Sequence, residues 1–159
     1  MNADTRTMGM ALTACTPPAK GSPLFELGAD EMEMGVGIHG EPGRRCEKLT
    51  NADAIIDELL EACVTDLPYQ QGDEVALMIN GLGGTPISEL YILYGRAHQQ
   101  LADRGISVRK NYVGEYCTSL DMAAPPSPWS SSTTSWSGCW RLQRRSPSAS
   151  SSGRRPGRS

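Results

Sequence analysis

Between Asp73 and Val113 the chain changes element type in an order that leaves few folds open. Asp73 to Asn80 (Asp-Glu-Val-Ala-Leu-Met-Ile-Asn) is a short, mostly apolar run of strand length and reads as a buried strand. Gly81-Leu82-Gly83-Gly84 breaks it. Thr85 and Pro86 then open a helix, Thr85 as N-cap and Pro86 at the first helical position, where a missing N–H leaves nothing unsatisfied. The helix runs to about Arg104 and stops at Gly105, and Ile106 to Val113 is the next strand. Strand, glycine loop, helix and strand make a βαβ unit whose two strands run parallel. The fold class read from the sequence is α/β, a mixed sheet around this unit.

Upstream, Met8 to Ala14 is a short strand ended by Thr16-Pro17-Pro18, and Gly21 to Glu26 is loop anchored by Leu24 and Phe25. From Glu31 the pattern has period two. Met32, Met34, Val36 and Ile38 point one way, and Glu31, Glu33, Gly35, Gly37 and His39 the other, as in a half-buried strand. Gly40-Glu41-Pro42-Gly43 ends it in a turn. This places His39 at a strand end beyond two glycines, where a ligand can come close. Arg44 to Lys48 reads as a polar connection. Thr50-Asn51 caps a helix to about Asp66, with Ile55, Ile56, Leu59, Leu60, Cys63, Val64 and Leu67 at helical spacing. Asp57, Glu58 and Glu61 read as its solvated face, and His98 as an exposed residue of the later helix.

Charge divides the chain. Residues 1–122 hold all 18 acidic residues and nine basic ones, a balance of −9, whereas 123–159 carry six arginines and no acid. Five cysteines (Cys15, Cys46, Cys63, Cys117, Cys139) are odd in number, with no Cys-x-x-Cys pair, so a zinc site or a disulfide framework is not expected. No apolar run reaches the ~18 residues of a membrane span, and the first residues lack a signal-peptide core. Neither membrane nor nucleic acid is expected as a partner, and the compartment expected is the cytoplasm.

Four blocks in order carry a resemblance over residues 6–122. They are Met8-Gly9-Met10-Ala11-Leu12 with Cys15-Thr16-Pro17; Gly35-Val36-Gly37-Ile38-His39-Gly40-Glu41-Pro42-Gly43; Asn80-Gly81-Leu82-Gly83-Gly84-Thr85-Pro86-Ile87-Ser88-Glu89-Leu90-Tyr91; and Gly114-Glu115-Tyr116-Cys117-Thr118-Ser119-Leu120-Asp121-Met122. Together they resemble the substrate-binding subunit (DhaK) of the dihydroxyacetone kinases.

The resemblance implies a role for His39. In the family the histidine of this motif adds to the ketone carbon of dihydroxyacetone and holds it as a covalent hemiaminal. The attacking nitrogen must be neutral, as most of an unperturbed imidazole (pKa about 6.5) is at pH 7. Gly37 and Gly40 are then the small residues of the substrate site. Glu41, on the same side of an extended chain, could orient the ring by accepting its other N–H. The family phosphorylates dihydroxyacetone with ATP-Mg or a phosphotransferase-system carrier held on a nucleotide-binding partner (DhaL-type), and its intact members are expected to be homodimers. No cofactor or metal is expected on this chain itself, and the glycine loop before Thr85 reads as structural because it lacks a P-loop lysine.

The family also has an upstream half with a second Gly-His-Glu-Pro loop and an aspartate that activates the substrate hydroxyl, and this chain is expected to begin after both. The domain reading is therefore a partial substrate-binding domain over 6–122. Residues 123–159, with twelve serines and five prolines, show no strand or helix period longer than a few residues. They read as a disordered basic tail produced by a shift of reading frame. A binding module without its general base, or an inactive remnant, are the alternatives to a working kinase part. Poor stability of the isolated chain is expected, because the family's next strand is missing.

Overall fold

The computed structural model describes residues 4–37, 43–119 and 138–144, the last by backbone alone. Among the described residues six strands form one sheet with two helices: β1 (Thr5–Ala11), β2 (Glu31–Met34), β3 (Arg45–Lys48), α1 (Ala52–Asp66), β4 (Glu74–Leu82), α2 (Ile87–Asp103), β5 (Ser107–Thr118) and β6 (Gly138–Arg144). Their spatial order is β3-β2-β1-β6-β4-β5. β4 and β5 pair in parallel across α2, which is the βαβ unit. All other pairings are antiparallel, so the sheet is mixed.

One face of the sheet carries both helices. Alternation along β4 puts Val75, Leu77 and Ile79 in the core with Met8 and Met10 of β1, and Ile55, Leu59, Leu90, Leu93 and Ala97 of the helices close over them. Asn51 caps α1 as expected, its Oδ1 accepting from the Ala54 N–H at 2.8 Å. α2 starts one position later than the sequence suggests, with Pro86 as N-cap. Thr85 is buried, and its hydroxyl donates to the Gly81 carbonyl at 3.0 Å instead of capping the helix. The acidic face of α1 is paired as well as hydrated. Asp57 accepts two bonds from Arg96 (2.8 and 2.6 Å), Glu61 one from Arg104 (2.7 Å), and Glu58 one from Arg45 of β3. Solvent screens pairs this exposed, so they orient α1 more than they stabilise it.

Two expectations are corrected. Residues 44–48 are not a simple connection, since Arg45–Lys48 form the edge strand β3 against β2. The stretch 123–159 is not without regular structure, because Gly138–Arg144 lies in the middle of the sheet, antiparallel to both neighbours. Its register sets Trp140 between Met8 and Ile79, and Leu142 between Arg6 and Leu77. Cys-Trp-Arg-Leu-Gln-Arg alternates at period two, which is the signal for a half-buried strand; the surrounding serines and prolines hid it.

Candidate functional site

The connection from β2 to β3 is the part of the molecule on which the candidate site rests. Hairpin connections usually take two to five residues, and this one spans residues 35–44. His39, Gly40 and Glu41 lie within it, outside the described residues. Both of its ends are described. β2 stops at Met34, shorter than the alternation to His39 suggests, because Gly35 takes φ +84°, a left-handed conformation in which a side chain is strained. The Gly35 N–H donates to the Gly9 carbonyl at 2.7 Å, and the Arg44 N–H donates to the Met34 carbonyl at 2.6 Å.

Two glycines make this neck narrow. A Cβ on Gly35 would stand 2.8 Å from Cγ of Arg44. One on Gly43 would stand 2.6 Å from Cγ of Glu33 and nearer still to the Met34 carbonyl oxygen. Glu33, expected on the open row of the strand, is buried where Gly43 packs against it.

Beyond the neck, Val36 leaves the Met32–Met34 core. It joins Ala11, Cys15 and Leu82 in a second apolar cluster, flanked by Leu24 and Phe25. This cluster gathers the ends of β1 and β4 and the loop after β1, at the carboxyl ends of parallel strands where open α/β sheets bind ligands. Gly37, half-buried, is the last described residue before His39.

The loop after β4 supplies the neighbouring wall. Leu82 is buried at φ +58°, the one non-glycine among the described residues with positive φ, and its carbonyl accepts from the Ser119 N–H at 2.9 Å. Strain of this kind persists only where surrounding structure holds it. Asn80 is part of that hold. It is 1% exposed, its Nδ2 donates to the Cys117 carbonyl, and its Oδ1 accepts from the Tyr116 and Cys117 N–H groups. Next to it the Glu115 carboxylate accepts from the Gly83 N–H at 2.6 Å. One N–H of the glycine loop is thus taken by the chain's own carboxylate. Burial pushes Glu115 above the usual carboxylate range, and the Gly83 N–H partly opposes it. Glu89, in the first turn of α2, is also raised by burial, and its Oε2 has no hydrogen-bond partner among the described residues.

A separate cleft of about 580 Å³ lies between β1 and α1, lined by Arg6, Met8, Arg44, Glu58, Glu61 and Thr65 among others. Most of its charges are matched internally: Arg6 with Asp66, Glu58 with Arg45, Glu61 with Arg104. Arg44 joins the cleft to the neck of the hairpin loop. Among the described residues no group of three or more His, Cys, Asp or Glu is placed to hold a metal. No helix there is long and apolar enough to cross a membrane. Cys46 on β3 stands among carboxylates. Local desolvation, then a hydrogen bond and charge from Glu31 and the charges of Glu33 and Glu47, raises its thiol pKa, which disfavours the thiolate.

Sequence reasoning singled out the motifs around Asn80 and Glu115 without giving either residue a role. Asn80 ends an apolar run, a position where a buried amide needs partners from another strand, and that pairing is invisible in one dimension.

The Dak1 domain profile matches residues 1–126. The chain is 43% identical over 121 residues to the dihydroxyacetone-binding subunit DhaK of PTS-dependent dihydroxyacetone kinase 1 of Listeria innocua, covering 76% of this chain and 37% of that one. It is 41% identical over 122 residues to a D-erythrulose kinase of Mycolicibacterium smegmatis, covering 77% of this chain and 21% of that one. Among solved structures it is similar to the dihydroxyacetone kinase operon co-activator Dha-DhaQ, with TM-score 0.74 and 29% identity over 89% of this chain and 40% of that one. The chain belongs to the Dak1 domain family, the DhaK-type domain of the dihydroxyacetone kinases. It spans between a fifth and two fifths of the length of these relatives.

Proposed function

We propose that this chain is the ketone-capturing part of a dihydroxyacetone kinase substrate subunit, with His39 as the covalent residue. The observation that supports the reading is the His-Gly-Glu-Pro motif in the sequence of the β2–β3 connection, whose described ends form a two-glycine neck and send Val36 into the cluster with Leu82 at the strand ends. In the step itself the lone pair of a neutral His39 nitrogen forms a bond to the carbonyl carbon. The C=O π pair moves to oxygen, which takes a proton, and the second ring nitrogen gives one up. No water leaves. Glu41 is the positioning residue that would accept the ring's other N–H, and Gly37 and Gly40 leave room for the triose. A polyol without a carbonyl cannot react, which makes short ketoses the substrate class, and the erythrulose kinase among the relatives is consistent with it.

In this reading the phosphoryl donor, ATP-Mg or a phosphotransferase-system carrier, is delivered by a DhaL-type partner to a cytoplasmic homodimer. The chain captures the ketose without transferring phosphate alone. Residues 123–159 are a frame-shifted continuation of the domain. A second reading, a regulatory module that binds a ketose, is favoured by the structural similarity to a co-activator.

Native mass spectrometry after incubation with dihydroxyacetone tests the capture. The expected result is a gain of one whole triose, lost in His39→Ala and retained in Lys48→Arg. A gain less one water, or a gain unaffected by His39→Ala, would place the chemistry on a lysine or elsewhere and end the proposal. Kinase activity of the adduct-forming chain with a DhaL-type partner separates the enzyme reading from the regulatory one.

A further inference from the structure

Near the carboxyl ends of β4 and β5 the ladder pairs Asn80 with Gly114 and next pairs Leu82 with Thr118. Gly81 alone therefore stands against Glu115, Tyr116 and Cys117. Extra residues of this kind bend a strand and re-aim its side chains, and they are common beside active sites.

Two side chains use the irregularity. The Asn80 amide takes up the backbone groups of Tyr116 and Cys117. The Glu115 carboxylate turns back across β4. One of its oxygens accepts from the Gly83 N–H at 2.6 Å, and the other lies over Gly81, where a Cβ would overlap it. Only a residue without a side chain leaves that seat open.

Leu82 stands between the two glycines. Its backbone is at φ +58°, and its side chain is buried with Ala11, Cys15 and Val36. The carboxylate holds the chain on both sides of this leucine, by contact before it and by a hydrogen bond after it. Positive φ at a leucine lasts only while its surroundings impose it. Val36, its partner in the cluster, lies three positions before His39.

We propose that Glu115 is a positioning residue of the ketose site: seated on Gly81 and bonded to Gly83, it keeps Leu82 in the Val36 cluster and so fixes how the chain enters the His39 motif. The proposal rests on the reading of His39 above and deepens it by naming what supports the site from β5.

The test is the rate of triose capture by the full chain at saturating dihydroxyacetone, followed by native mass spectrometry at a temperature where each variant is folded by circular dichroism. Glu115→Ala is expected to slow adduct formation by about tenfold or more, since a small displacement near a reacting group costs a large factor in rate. Glu115→Gln keeps an oxygen that accepts from Gly83, and is expected to stay within about twofold of wild type. Gly81→Ala keeps the carboxylate but puts a methyl in its seat. It is expected to slow capture as Glu115→Ala does, with the double variant no slower than either, because changes at one contact do not add. This variant also decides the matter if Glu115→Ala fails to fold. Glu61→Gln weakens the Arg104 pair on α1, and is expected to melt lower yet capture at the wild-type rate.

Four results would each overturn the proposal and leave His39 in place: wild-type capture by Glu115→Ala, a Glu115→Gln as slow as Glu115→Ala, losses that multiply in the double variant, or a Glu61→Gln slowed as much. A wild-type chain that forms no adduct would overturn the reading of His39, and this proposal with it.

Discussion

Asn80 of β4 grips Cys117 of β5 by both of its backbone groups: Nδ2 donates to the carbonyl at 2.7 Å and Oδ1 accepts from the N–H at 2.8 Å. A side-chain amide thus takes the place of a strand where the β4–β5 ladder shifts register between Asn80 and Leu82. Asn80→Ala leaves those backbone groups without their buried partner and releases the loop that holds Leu82 at positive φ. We expect a loss of about 2–4 kcal/mol in urea unfolding, from several buried bonds at about 1 kcal/mol each plus the cost of unsatisfied groups. A loss under about 1 kcal/mol would mean that water replaces the amide.

Two glycines, one at the neck of the hairpin loop and one on α2, give substitutions of opposite sign. In Gly43→Ala the new methyl meets Glu33 and the Met34 carbonyl, which is backbone and cannot step aside. We expect destabilisation of about 1–3 kcal/mol and weaker triose capture. Gly95→Ala, on α2 with nothing within 4 Å, is expected to stabilise by about 0.5–1 kcal/mol. Thermal melts of the two variants decide between these signs.

Two glutamates should shift the pH dependence in opposite directions. Glu89 is raised by burial, so its contribution to stability is present below the ordinary carboxylate pKa and is lost as pH rises through the folded value. Glu89→Gln is therefore expected to melt at or above the wild-type temperature at pH 7, and to lose that advantage near pH 4. Glu61 is lowered, first by the Arg104 hydrogen bond and then by that of Thr65. Its contribution is present above the ordinary pKa and is lost as pH falls through the lowered value. Glu61→Gln should melt below wild type at pH 7, with the gap closing in acid.

β6 can be tested at its centre. Leu142 pairs with Arg6 on one side and Leu77 on the other. A proline there removes a ladder donor in mid-sheet, where both neighbours pair with the strand and proline is not accommodated. Leu142→Pro is expected to abolish cooperative unfolding by circular dichroism. A sharp transition near the wild-type temperature would mean that the sheet does not depend on β6.

Much of this architecture was legible in the residues. The βαβ unit, the Asn51 cap and the apolar stripe of α1 follow local rules, and one window contains each signal. Long-range events were not legible. Gly35 ends β2 because its left-handed turn is fixed by Gly9 across the sheet, not by anything in the alternation of Met32, Met34 and Val36. Arg45–Lys48 looked like loop because an edge strand can be charged on both faces. At the site, the four motif blocks marked the right stretches, while the roles of Asn80 and Glu115 depended on a partner more than thirty residues away.

The position of β6 bears on how the protein is made. β1 and β4 are laid down early, yet each waits for the same strand, which lies many residues further along the chain. Until the ribosome has released Arg144, both strands keep a flank of open backbone groups, and the helices have only part of a surface to settle on. Such late closure of non-local contacts slows assembly. It makes the newborn chain, more than the finished one, the form in need of a chaperone.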